Sequence, residues 1–249
     1  MKRFTTTALV LLALCLPATA ALAQDTAVAP APPRGAWELF LESRDVFTVL
    51  LLAGSVGGIA LIFMAIFEVR ETAFLPKGLA GRCTDLARTG RVEALAEAVR
   101  DGESFFARVV SAAAARAGTD RVAIRDAAEL TASEESARWF RRIELLSTIG
   151  NMGPLIGLAG TVWGMILAFT SLGDRDGQAG PADLSLGISK ALFHTLLGLC
   201  LAIPCLFAYA LLRGKIDRLC TRATIVASDV IELIAARSGD SAPRRKDPA

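Results

Sequence analysis

The chain has 249 residues, 53% of them hydrophobic, and a mean hydropathy of +0.47. That is too apolar for a soluble domain of this length and too interrupted for one continuous core, which leaves an integral membrane protein. A formal net charge of only +2, with no basic patch interleaved with aromatics, gives no basis for nucleic-acid binding.

Residues 1–23 combine a basic start (Lys2, Arg3), an apolar run over 8–16 and the small-residue pattern Ala21-Leu22-Ala23 before Gln24. This is the layout of a cleaved signal peptide. The run is shorter than the ~18 residues that a span requires, and Pro17 interrupts it. The mature chain therefore starts outside the cytoplasm. Residues 24–46 hold the Pro-rich tether TAVAPAPPR and then WELFLESRD, where Trp37, Phe40 and Leu41 oppose Glu38, Glu42 and Arg44 at helical spacing. A short helix lying in the membrane interface satisfies both sets, and a plain extension of the first span is the alternative.

Uncharged apolar runs over 47–67, 145–172 and 191–212 are each long enough, at 1.5 Å rise per residue, to cross ~30 Å of hydrocarbon as a helix. The spans are expected at 47–67, 143–172 and 184–212. Basic residues give the orientation, since Lys and Arg are retained on the cytoplasmic side. Arg70 and Lys77 follow the first span, Arg138, Arg141 and Arg142 precede the second, and Arg213, Lys215, Arg218 and Arg222 follow the third. The short loop 173–183 carries only Arg175. Residues 68–142 and the carboxyl end are thus inside, and the loop is outside.

The 68–142 segment reads as helices broken by Gly90, Gly102 and Gly118. From Arg121 to Ile149 there is neither proline nor glycine, so one helix can run from the cytoplasm into the second span. Past the third span, over 213–237, Ile216, Leu219, Ala223, Val226, Val230 and Leu233 repeat at 3,4,3,4,3. That is a coiled-coil type of seam, to be covered by the extension of the second span or by a neighbouring subunit. Residues 238–249 form a disordered tail whose basic residues can touch anionic lipid. The fold class is all-α, with three transmembrane helices and long cytoplasmic helical extensions of the second and third. Cys15 leaves with the signal peptide, and the other four cysteines read as small buried hydrophobes; no disulfide framework, metal site or cofactor is expected.

Near the middle of the second span, Thr161 shares a face with Gly150, Gly153, Gly157, Gly164 and Ala168. In lipid a stripe of small residues lets helix backbones approach closely, so this face is a packing interface. Thr161 itself either bonds back to a carbonyl one turn earlier and packs, or faces a wet interior. The third span begins after Asp183, a good N-cap for a helix starting at Leu184. Lys190 and His194 lie i,i+4 on one face, with Thr195 beside it. Lys190 either snorkels outward or faces a wet interior. His194, the one histidine, is either a neutral interhelical hydrogen-bond donor or a proton-handling group; with no carboxylate at matching depth, the first reading leads. No Asp or Glu lies deep in any span, so if protons pass, another chain brings the acid.

The runs LSTIGNMGPLIGLAGTVWGMILAF (146–169) and GISKALFHTLLGLCLAIPCLFAYALLRGKID (187–217) closely resemble the MotA/TolQ/ExbB proton-channel family, and the size and three-span plan its ExbB and TolQ branch. The resemblance implies a stator subunit in a bacterial inner membrane, forming a pentameric homo-oligomer around a dimer of a single-span partner of ExbD or TolR type. That partner supplies the membrane Asp, and a TonB-like protein can join the complex. It further implies that Thr161 and Thr195 line the proton pathway, and Lys190 and His194 are candidates for pathway or partner contact. One departure is Lys190, which stands where the ExbB pattern often has glutamate. Outside the resemblance, a membrane scaffold or signalling protein without ion conduction is the alternative. An enzyme is not expected, because His194 has no matched nucleophile or metal-ligand companions.

Overall fold

The computed structural model describes residues 45–174 and 181–241. The signal peptide expected at 1–23, the tether and interfacial helix up to residue 44, the centre of the 173–183 loop and the tail beyond 241 lie outside the described residues. The described chain is helical: α1 (Val46–Glu68), α2 (Glu71–Phe74), α3 (Leu79–Thr89), α4 (Val92–Arg100), α5 (Phe105–Ala114), α6 (Arg121–Asp174) and α7 (Pro181–Ser241).

Three of these, α1, α6 and α7, are long and apolar enough to cross a membrane. At 54 and 61 residues, α6 and α7 run for about 80 and 90 Å, so most of each lies beyond a hydrocarbon layer ~30 Å thick. Both pass through an internal proline, Pro154 and Pro204, without ending. The third long helix starts at Pro181, earlier than the expected Asp183 cap, because proline at the first turn forfeits no helical hydrogen bond and presets φ. One broad face of α1, with Val46, Val49, Leu52, Val56, Ile59 and Phe63, is apolar and exposed, as suits a lipid-facing helix, while Thr48, Leu51 and Gly58 are buried. Its start is fixed by Asp45, whose carboxylate accepts from the Thr48 N–H at 3.0 Å.

Most of the hydrophobic core lies outside the spans, where α2 to α5 pack on the extensions of α6 and α7, and it continues into them through Leu51, Leu201 and Cys205. Phe74, Phe105, Phe106, Leu95, Ile124 and Ile234 are fully enclosed there, with Phe74 and Trp139 rings 4.5 Å apart. Gly90 ends α3 in the left-handed region (φ 76°), which glycine adopts without strain. The expected seam on α7 is covered within the chain. Its centre is shifted, however: Ile216, Cys220, Ala223, Ala227, Val230 and Ile234 are buried, while Leu219, Val226 and Leu233 flank it half-buried. Cys83, Cys205 and Cys220 are buried as expected, and burial pushes the Cys83 and Cys220 thiols up; Cys200 is instead exposed on α7. Phe106→Ala should cost about 3–5 kcal/mol, from lost transfer energy plus the cavity left behind. A thermal melt of the purified protein checks this, and an unchanged midpoint would contradict the core placement.

At the end of α1 next to this core, Glu68 pairs with Arg142 at 3.3 Å and Arg142 lies over the Trp139 ring at 4.6 Å. Lys215 donates to the Val69 carbonyl at 2.5 Å, and its burial pulls its pKa down. These contacts tie the three long helices together where α1 stops.

Candidate functional site

The stripe of small residues on α6 meets α7 of the same chain. A Cβ built on Gly153 would stand 2.9 Å from the Gly198 carbonyl, and one on Gly157 would stand 2.8 Å from the His194 carbonyl and 3.1 Å from Thr195 Cα. One on Gly164 would stand 2.9 Å from Ala191 Cβ, and one on Gly150 2.7 Å from Leu206 Cγ; Ala168 is buried against Gly187. Backbone therefore meets backbone along this seam, the contact that lipid-embedded helices form where side chains are absent.

Thr161 and Thr195 lie together on that seam. The Thr161 hydroxyl donates to the Gly157 carbonyl at 2.9 Å, one turn back on its own helix, with the Ala191 carbonyl of α7 at 3.2 Å. It is also hydrogen-bonded to the Thr195 hydroxyl, and Thr195 Oγ1 stands 3.5 Å from the Gly157 carbonyl. Each hydroxyl has one proton and two lone pairs. With the Thr161 proton on a carbonyl, the Thr195 proton goes to Thr161 Oγ1. The lone pairs of Thr195 then remain as the acceptors at the end of a short hydroxyl chain. Both threonines are half-buried, so the chain ends near a surface of the single subunit.

His194, one residue from Thr195, has only 2% of its surface exposed and turns to α1. Its Nε2 lies 2.9 Å from Asp45 Oδ1 and 3.1 Å from Thr48 Oγ1, and Thr48 Oγ1 donates to the same Asp45 oxygen at 3.1 Å. The Phe47 ring packs edge-on against the imidazole, centroids 6.4 Å apart. Burial raises the Asp45 pKa, but the Thr48 N–H and His194 outweigh it and leave the carboxyl below its ordinary value. This corrects the expectation that no carboxylate stands level with the histidine. Pro181 to His194 is about 20 Å of helix axis, so α7 continues that far past the level at which α1 begins. An end-of-span aspartate on one helix thereby meets a histidine counted as deep on another. Lys190, half-buried, stands one turn of α7 from His194 toward Pro181.

Asp45 and Thr48 are the residues that sequence reasoning missed. The signal was present as Asp-x-x-Thr at the start of an apolar run, the pattern of a capped helix start. It was obscured by reading Asp45 as the end of the preceding amphipathic stretch.

The sequence profile of the MotA/TolQ/ExbB proton channel family matches residues 97–224, just over half of the chain. The chain belongs to that family. The matched region takes in Thr161, Lys190, His194 and Thr195, and leaves out α1 with Asp45 and Thr48. An ExbB homolog of Methanothermobacter thermautotrophicus is 30% identical over 72% of this chain, and biopolymer transport protein exbB1 of Vibrio cholerae is 29% identical over 74%. The matches span 63% and 76% of those relatives respectively, so the chain covers less than two thirds of the first. The Tol-Pal system protein TolQ of Pseudomonas aeruginosa is 39% identical over a shorter stretch, 31% of this chain and 33% of TolQ. Among solved structures, a chain of C. jejuni MotAB superposes with a TM-score of 0.56 at 18% identity, covering 99% of this chain and 98% of that one. At that identity the likeness speaks for the all-helical fold.

Proposed function

We propose that the protein is the channel-forming stator subunit of a bacterial inner-membrane energy-transducing complex, and that Thr161 and Thr195 lie on its proton route. The observation that carries this is the hydroxyl pair bridging α6 and α7 within apolar, uncharged helix, which leaves acceptor capacity on Thr195 when Thr161 donates to a carbonyl. A carboxylic acid has an O–H to donate to such an acceptor. Asp45, the carboxylate level with His194, is engaged by Thr48 and His194 and makes no hydrogen bond to the threonine pair among the described residues, so the acid belongs to a single-span partner of ExbD or TolR type, seated in a homo-oligomeric ring of these chains. The mature amino terminus lies in the periplasm and the carboxyl end in the cytoplasm, as the distribution of Lys and Arg supports.

The threonines position and hydrate; they do not ionise. A proton moving down its gradient neutralises the partner's Asp and shifts its preferred position in the ring. One charge moved through 100 mV is worth about 2.3 kcal/mol, enough to bias a mechanical step coupled to outer-membrane transport or envelope work.

The test is co-reconstitution of the chain in liposomes with a single-span partner of ExbD or TolR type. Proton flux is expected only with both proteins present, and only while the partner's membrane Asp is intact. A stable assembly without flux at any imposed potential would leave the scaffold reading in its place. Lys190→Met should weaken partner binding without ending flux, since the ammonium acts on the partner as a charge rather than as a proton carrier. Co-purification at several salt concentrations measures this; unchanged binding would reduce Lys190 to a snorkelling side chain.

A further inference from the structure

We infer that Asp45, Thr48 and His194 form a proton-accepting site on the seam between α1 and α7, whose protonation is transmitted to Thr195 on the same turn. Its transmission to a proton route, and its place near the outer face, rest on the reading above; the site itself does not.

The geometry fixes the resting state. An ionised carboxylate only accepts hydrogen bonds, so with Asp45 Oδ1 at 2.9 Å the Nε2 atom carries the ring proton, shared with Thr48 Oγ1 at 3.1 Å. Nδ1 is then a bare acceptor, fully buried, with no hydrogen-bond partner among the described residues. The carboxylate holds the ring through Nε2–H and fixes which nitrogen is left bare. The Asp45 side chain is 32% exposed, which gives the pair an opening to water that the imidazole lacks.

Among the described residues, few titratable groups stand near the ring. α1 contributes Asp45, and α7 contributes Lys190 one turn away. α6 contributes no titratable group on this seam: Gly157, Gly160, Thr161 and Gly164 face α7 there, and a Cβ on Gly160 would stand 2.9 Å from the His194 Cβ and Cγ. The resting pair thus carries one negative charge at a low-dielectric seam. For Nδ1 to take a proton from hydronium, with water released, the ring must swing toward the opening at Asp45; the product is a neutral imidazolium–carboxylate pair, and no other covalent bond is made or broken.

That proton turns Nδ1 into a buried donor. An enclosed N–H without an acceptor is unfavourable, so the ring or its helix turn must shift to find one. Thr195 is covalently next, and its hydroxyl is the open end of the pair with Thr161. α1, otherwise packed through small contacts such as Gly58 on Cys205, holds this end of α7 through the same histidine.

His194 is the sole histidine of the chain, so histidine-specific ¹⁵N labelling reports on this site alone. The measurement uses the full chain with its partner, only this chain labelled, purified on a tag without histidine. At high pH the spectrum should show one tautomer, Nε2 protonated and Nδ1 bare. As the pH is lowered, the Nδ1 resonance should move to the imidazolium position, and the ¹³C-methyl resonance of Thr195 should follow in step with it. Asp45→Asn should weaken that change, because the opposite charge beside the ring is gone. His194→Gln keeps a donor for Asp45 but does not titrate, and should leave the Thr195 methyl without a pH response. A ring that stays in one neutral form on acidification, a change indifferent to Asp45→Asn, or a Thr195 signal that moves equally in His194→Gln each overturns the inference. A complex that conducts no protons while His194 and Thr195 titrate together would sink the channel reading and leave this site standing.

Discussion

Thr161→Val is expected to lower partner-dependent proton flux by about 10- to 100-fold while the ring still assembles. Valine keeps the β-branched shape, so the seam between α6 and α7 stays filled. What leaves is the oxygen that accepts the Thr195 proton and the proton given to Gly157 or Ala191. Single interhelical hydrogen bonds in membranes average about 0.6 kcal/mol, too little to disassemble the pair. On the route itself a missing bond raises the barrier by about 1.4–2.7 kcal/mol, which gives the stated range of rates. Thr195→Val should be at least as severe, because it deletes the acceptor end of the chain and not its middle. Thr161→Ser should keep most of the flux, since the hydroxyl survives. Liposome flux beside size-exclusion profiles of the same preparations checks the set. Normal flux in either valine variant would mean that the threonines only pack.

The sequence displayed the long helices clearly because their signals are local. Uncharged runs of span length mark α1, α6 and α7, and the absence of proline and glycine from Arg121 to Ile149 showed that α6 continues well outside the membrane. The small stripe was equally visible, but its partner was not: Gly157 says that something approaches closely, and only the fold says that it is the backbone of His194 and Thr195. Thr161 and Thr195 were named from resemblance. No periodicity relates two residues on different helices, so their hydroxyl contact had to await the structure. The Asp45–His194 pair was hidden for a physical reason. Depth was counted along each helix from its own start, and α7 overshoots the start of α1, so residues at different nominal depths sit side by side. The α7 seam was read one position off because the covering helices approach from the side of Cys220 and Ala227, which a seam drawn through Leu219 and Val226 leaves out.

Gly157→Leu should abolish the assembled protein outright. The atoms that a Cβ at 157 would meet are the His194 carbonyl at 2.8 Å, Thr195 Cα at 3.1 Å and Gly198 Cα at 3.4 Å, all of them backbone. A side chain can rotate out of the way, whereas backbone yields only if α6 and α7 separate. Separation loses the Thr161–Thr195 contact and the close packing from Gly150 to Ala168 together. Overpacking a well-filled core typically costs about 1–3 kcal/mol where neighbours relax, and this site resists relaxation, so leucine should exceed that range. Against total stabilities of about 5–15 kcal/mol the folded fraction falls steeply. Gly157→Ala should be intermediate, assembling but melting earlier. Gly57 on α1 is the control: a Cβ there meets nothing within 4 Å, so Gly57→Ala should be close to neutral. Thermal stability of detergent-solubilised complexes, followed by size exclusion after heating, separates the three. If Gly157→Leu assembles and melts like Gly57→Ala, α6 and α7 do not meet backbone to backbone, and the hydroxyl pair between them has no scaffold.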